Sequence, residues 1–105
     1  MASVRELNDA FRTSGQGGRI VVTRGVNVLG VMAVAAALER VRTFDALTED
    51  NDPHGEHDFG SFELNGEKLY WKVDCYDKEM RYVSEDPANP DKTTRVLTIL
   101  LAEEY

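Results

Sequence analysis

Phe59-Gly60-Ser61-Phe62-Glu63-Leu64-Asn65-Gly66-Glu67-Lys68-Leu69-Tyr70-Trp71-Lys72-Val73-Asp74-Cys75-Tyr76 is the stretch that decides the fold. Asn-Gly is the preferred dipeptide of a two-residue type I′ turn, because both central positions need positive φ. Strict alternation runs outward from it on both sides. The register this predicts sets Leu64 opposite Glu67, Glu63 opposite Lys68, Phe62 opposite Leu69, Ser61 opposite Tyr70 and Gly60 opposite Trp71. One face then carries Phe62, Leu69, Trp71, Val73 and Cys75 and belongs to the core. The other carries Glu63, Lys68, Tyr70, Lys72, Asp74 and Tyr76, with a Glu63–Lys68 cross-strand ion pair expected. Gly60 opposite Trp71 leaves room for the indole. Cys75, on the inner face, reads as a small buried hydrophobe rather than a nucleophile.

Downstream, Asp77-Lys78-Glu79 reads as a turn and Met80 to Ser84 as a shorter strand. Glu85-Asp86-Pro87-Ala88-Asn89-Pro90-Asp91 is a loop by its prolines and Asx residues. The run 95–101 fits a strand or a buried helix. Its β-branched residues and Pro-rich boundary favour a central strand covered on both faces.

Upstream, Ser3-Val4-Arg5-Glu6 is a capping box that starts a helix over 4–13, with Val4, Leu7 and Phe11 on the apolar face and Arg5, Asn8, Asp9 and Arg12 elsewhere. Gly15, Gly17 and Gly18 end it. A strand, Arg19 to Thr23, follows the glycines where a phosphate cradle would need a helix, so they read as a linker turn. A second helix over 28–43 places Val31, Val34, Ala35, Leu38, Val41 and Arg42 on one face, with alanines allowing close approach to a sheet. The expected architecture is a single α+β domain over 1–105. Two N-terminal helices pack on one face of a mainly antiparallel sheet of about five strands, in the order α-β-α-β-β-β-β.

The 105 residues suffice for one modest core. No secretory signal is visible at the start, and the longest apolar run, Val28 to Leu38, falls short of the roughly 20 residues that span a bilayer. One cysteine excludes an internal disulfide framework and fits a reducing compartment, so a cytoplasmic protein is expected. The net charge of −7 is asymmetric: residues 1–44 carry a balance of +3 and residues 45–105 a balance of −10. Such an acidic field disfavours direct contact with nucleic acid and favours basic partners, cations or plain solubility.

The acid is densest between the second helix and the hairpin. Glu49, Asp50, Asp52, Glu56 and Asp58, with both histidines, His54 and His57, fall within ten residues that contain no Lys or Arg. Three readings stand. The loop is a structural device of Asx and β-turns. Or His54, His57 and Asp52 hold zinc or manganese as the centre of a metal-dependent hydrolase, although no third histidine exists and His-x-x-His lies in a Pro/Gly turn rather than on a helix. Or the loop, with Glu85 and Asp86, presents carboxylates to an Arg/Lys-rich protein surface, with Tyr70, Tyr76 and Tyr82 as anchors.

Leu7-Asn8-Asp9-Ala10-Phe11-Arg12, Gly18-Arg19-Ile20-Val21-Val22-Thr23-Arg24-Gly25, Phe44 to Phe62 and Leu97 to Tyr105 together resemble a family of small alphaproteobacterial proteins, domain of unknown function 3768. The most specific part is Asn51-Asp52-Pro53-His54-Gly55-Glu56-His57-Asp58-Phe59-Gly60. The resemblance supplies no catalytic residues. It implies plasmid or prophage cargo beside anti-restriction genes, and hence a role in countering host defence. The expectation is a non-enzymatic accessory protein that binds and inhibits a host defence nucleoprotein complex, of the anti-CRISPR or anti-restriction type, through its acidic surface, with no cofactor.

Overall fold

The computed structural model describes residues 2–48 and 51–105. Helix α1 (Val4–Ser14) starts at the expected capping box. The Ser3 hydroxyl accepts from the Glu6 amide and the Glu6 carboxylate accepts from the Ser3 amide, both at 3.1 Å. It stops at Gly15, whose left-handed φ of 76° lets its amide close on the Phe11 carbonyl. Strand β1 (Gly18–Val22) leads through Thr23 into a one-turn helix α2 (Arg24–Asn27), and Gly30, at φ 106°, separates this from α3 (Val31–Arg42). The helix expected over 28–43 is therefore broken at its start. Strands β2 (Phe59–Leu64), β3 (Glu67–Tyr76) and β4 (Thr94–Leu101) complete the sheet, and a 3-10 turn (Ala102–Glu104) follows.

The class is α+β, with a four-stranded sheet in the order β1-β4-β3-β2. The hairpin register is the expected one at all five pairs named above, and Asn65 and Gly66 take the positive φ that a type I′ turn requires. Strand β3 pairs antiparallel with β4, whereas β1 joins β4 in parallel, Ile20 beside Leu97. The run 95–101 is thus a central strand. Helices cover only one of its faces: Leu97, Ile99 and Leu101 are buried there, while Val96 and Thr98 on the other face are half-buried. On that open face Leu100 pairs with Tyr70 beneath a cluster of Phe59, Tyr70 and Tyr105 rings.

Residues 80–84 do not make a strand. Tyr76 and Val83 form a single bridge, Met80 turns through φ 61°, and Ser84 is drawn inward to the Thr93 hydroxyl at 2.6 Å. The sheet accordingly has four strands where about five were expected.

Phe11, Val26, Ala37, Val41, Phe62, Leu69, Trp71, Val73, Leu97, Ile99 and Leu101 form one core. Gly60 makes the expected room: a Cβ there would lie 2.7 Å from Trp71 Cε2 and 2.9 Å from Phe44 Cζ. Phe44 then meets the indole edge-on at 5.4 Å. The buried face of α3 is Ala33, Ala37 and Val41 rather than the one running through Val31 and Leu38. Val31 is 85% exposed, because only the alanine stripe lets the helix axis come close to its neighbours. Glu63 and Lys68 face each other without an ion pair among the described residues. The Lys68 ammonium sits over the Tyr70 ring and the Glu63 carbonyl accepts from Arg40.

Candidate functional site

The acidic loop is held from below by three polar residues of α1. Asn8 is 1% exposed and Arg12 6%. Asn8 Nδ2 donates to the Glu56 carbonyl at 2.9 Å, and Asn8 Oδ1 accepts from Arg95 Nε at 2.8 Å. Arg95, itself buried, donates onward to the Pro87 carbonyl. Arg12 donates to the carbonyls of Val41 (2.8 Å) and Phe44 (2.9 Å), pairs with Asp9 at 3.1 Å, and lies 5.1 Å above the Trp71 ring. The two terminal nitrogens of the buried guanidinium are thus satisfied, while its Nε is buried without a hydrogen-bond partner.

The sequence reading set Asn8, Asp9 and Arg12 apart from the apolar face. Their positions, not their types, carried the signal: Val4, Asn8, Phe11 and Arg12 recur at helical spacing and share one face.

His57 closes the loop onto this base. Its Nδ1 lies 2.9–3.0 Å from both Asp9 carboxylate oxygens, and since a carboxylate only accepts, Nδ1 carries the hydrogen. Its Nε2 is 3.6 Å from Asp52, and its own amide, at a left-handed φ of 54°, donates to the Asp52 carboxylate. Asp52 is buried. It points inward as the keystone of the turn rather than outward to a partner. His54 is exposed and stands apart from this arrangement. Among the described residues no group of three His, Cys, Asp or Glu side chains gathers to hold a metal ion. Glu49 and Asp50 lie outside the described residues.

Glu56 and Asp58 remain half-buried at the surface, and they line a groove of about 280 Å³ with Asp74, Cys75, Tyr76 and Val83. It opens along the part of β3 that extends beyond the end of β2. Burial pushes the Asp58 carboxyl above its ordinary range, and the charges of Asp52 and Asp74 add to this. Burial likewise pushes the Cys75 thiol up, with Glu56, Asp58 and Asp74 reinforcing it against Arg95, the direction opposite to that of an activated thiolate. Val83 also lines a second depression, of about 480 Å³, with Asp77, Glu79, Tyr82, Glu85 and Asp91 and two lysines, Lys78 and Lys92.

A family model for proteins of unknown function, DUF3768, matches residues 22–104. The chain belongs to that family. No curated protein and no solved structure matches.

The family match spans the acidic loop and the larger depression, and leaves out α1, whose Val4 and Asn8 line part of the smaller groove and whose side chains support the loop. The anchors named from sequence divide between two places. Tyr76 and Glu85 border the depressions, and Asp86 is exposed on the loop between Glu85 and Pro87. Tyr70 belongs to the aromatic cluster on the open sheet face. Val83, 79% exposed beside Tyr82 at 72%, was missed because Met80 to Ser84 reads as an ordinary strand. Among the described residues no helix is long and apolar enough to cross a membrane.

Proposed function

We propose that this is a non-enzymatic protein-binding module whose carboxylate-lined double groove receives a basic protein surface. One observation carries the reading. Val83 stands exposed between two adjoining depressions, with exposed Tyr82 beside it; Glu56, Asp58 and Asp74 wall one side, and Asp77, Glu79, Glu85 and Asp91, which outnumber Lys78 and Lys92 there, wall the other. An apolar pair framed by carboxylates is the complement of an apolar spot framed by Arg and Lys, and such charge matching governs partner choice and encounter rate. Arg/Lys-rich grooves of that kind serve proteins that handle nucleic acid. On this reading the protein acts in the cytoplasm as cargo of a mobile element. It inhibits a host defence complex of the restriction or CRISPR type by occupying the groove that otherwise holds DNA. The absence of a catalytic role is supported by the use of His57 as a structural latch and by burial that raises the Cys75 thiol pKa rather than lowering it.

The test is competition. Purified protein mixed with such an effector should lower its DNA affinity while binding no DNA itself. The triple reversal Glu79→Lys, Glu85→Lys, Asp91→Lys should relieve that inhibition without altering the melting temperature. Inhibition that survives the triple reversal would rule out the groove.

A further inference from the structure

We propose that the free edge of β1, together with a basic pocket at its N-terminal end, is a second binding surface that takes an extended acidic segment of a partner protein as an added strand. The pocket adjoins the larger acidic depression at Lys78, which lines both, but the strand edge itself belongs to neither acidic depression and binding there does not depend on them.

Among the described residues strand β1 pairs only with β4. The amide of Thr23 donates to the Ile99 carbonyl at 3.0 Å. Strand alternation therefore turns the amides and carbonyls of Gly18, Ile20 and Val22 away from β4, toward the unpaired edge. Residues 18–21 are all exposed, and the side chains of Ile20 and Val21 project to opposite faces at 38% and 43% exposure. An exposed edge with apolar side chains is a template for strand addition unless it is blunted. The other edge of the sheet is blunted: Arg40 spans onto β2, donating to the Glu63 carbonyl at 3.0 Å and lying over the Phe62 ring.

Charge selects the occupant. Gly17, Gly18 and Arg19 line a pocket of about 410 Å³ with Lys78, Thr93 and Thr94, and no carboxylate lines it, in a chain whose net charge is −7. Arg24 lies just past the other end of the strand. None of Arg19, Arg24 or Lys78 belongs to an ion pair among the described residues. Nearby Glu104 does not serve them, since its carboxylate accepts from the Thr23 hydroxyl and the Gly25 and Leu101 amides. A second copy of this chain would bring another Arg19 and Arg24 to the same seam, like charges facing like. An acidic strand places opposite charges there.

The probe is a fluorescein-labelled peptide of alternating valine and glutamate, roughly eight residues long so as to overreach the strand. Its binding is followed by anisotropy, and its site by amide exchange on the full chain. Saturable binding is expected, with new protection at residues 18–22. Ile20→Pro removes an outward amide but none of the bonds to β4, a placement that an edge strand tolerates. It should abolish binding while the protein still melts cooperatively. Arg19→Glu with Lys78→Glu should weaken binding by about tenfold or more at unchanged melting temperature. The proposal is overturned by absence of saturable binding, by equal binding of a valine–lysine peptide, by displacement of the probe with oligothymidine, by protection elsewhere in the chain, or by protection of 18–22 that arises from self-association without peptide.

Discussion

Replacing Asn8 by alanine tests the polar base of the acidic loop most directly. The amide makes two bonds that link α1 to distant parts of the chain, one to the Glu56 carbonyl and one from the Arg95 guanidinium. A bond to a charged group contributes about 1.5–3 kcal/mol and a neutral one about 1, and the partners left behind are buried or partly so. The expected loss is about 3 kcal/mol, which for a domain of this size lowers the melting temperature by about 12–15 °C. Urea and thermal unfolding followed by Trp71 fluorescence would read it, and amide exchange should quicken at residues 52–58 in the same variant. A cycle with Arg95→Met isolates the shared bond. The double variant should cost less than the two singles together by at least about 1 kcal/mol. A melting shift under about 4 °C, or strict additivity in the cycle, would refute the assignment of Asn8 as the joint between helix, loop and central strand.

Asp58 gives a pH signature. Its carboxyl is raised in the folded state, so between its unfolded and folded pKa the native protein binds more protons than the unfolded one and stability falls as pH rises through that window. Asp58→Asn should therefore stabilise at pH 7, do nothing below the unfolded carboxylate pKa, and flatten that slope in urea midpoints measured across pH. Equal effects at pH 3 and pH 7 would contradict it. Gly60→Ala forces a methyl against Trp71 and Phe44 and should cost about 1–3 kcal/mol, with altered Trp71 emission. An unperturbed spectrum at unchanged stability would show that the indole has slack.

The hairpin was legible down to each pair because turn chemistry and alternation speak locally, and the Ser3–Glu6 cap was legible for the same reason. The base of the loop was not. Asn8 and Arg12 look solvated on a short helix, and only partners such as Arg95 and the Val41 carbonyl, remote in sequence, turn them inward. The same remoteness hid Asp52. A crowd of carboxylates reads as mutual repulsion spread over a surface, whereas Asp52 is withdrawn onto the His57 amide and ring, and Glu56 and Asp58 are left at the rim of a groove. In α3 the larger aliphatic residues drew the eye to Val31 and Leu38, while close packing selected the alanines. Residues 80–84 have the composition of a strand, but the left-handed Met80 tightens the turn and leaves one bridge.

The middle of the sheet comes from residues 94–101, flanked by β3 on one side and by β1, some seventy-five residues earlier in the chain, on the other. Such pairings raise contact order and slow folding. During synthesis the hairpin can close by itself, yet β1 has nothing to join until β4 leaves the ribosome. A nascent chain halted before that point holds β1 with both edges unpaired, and the protein's exposure to aggregation is set by how quickly β4 is delivered.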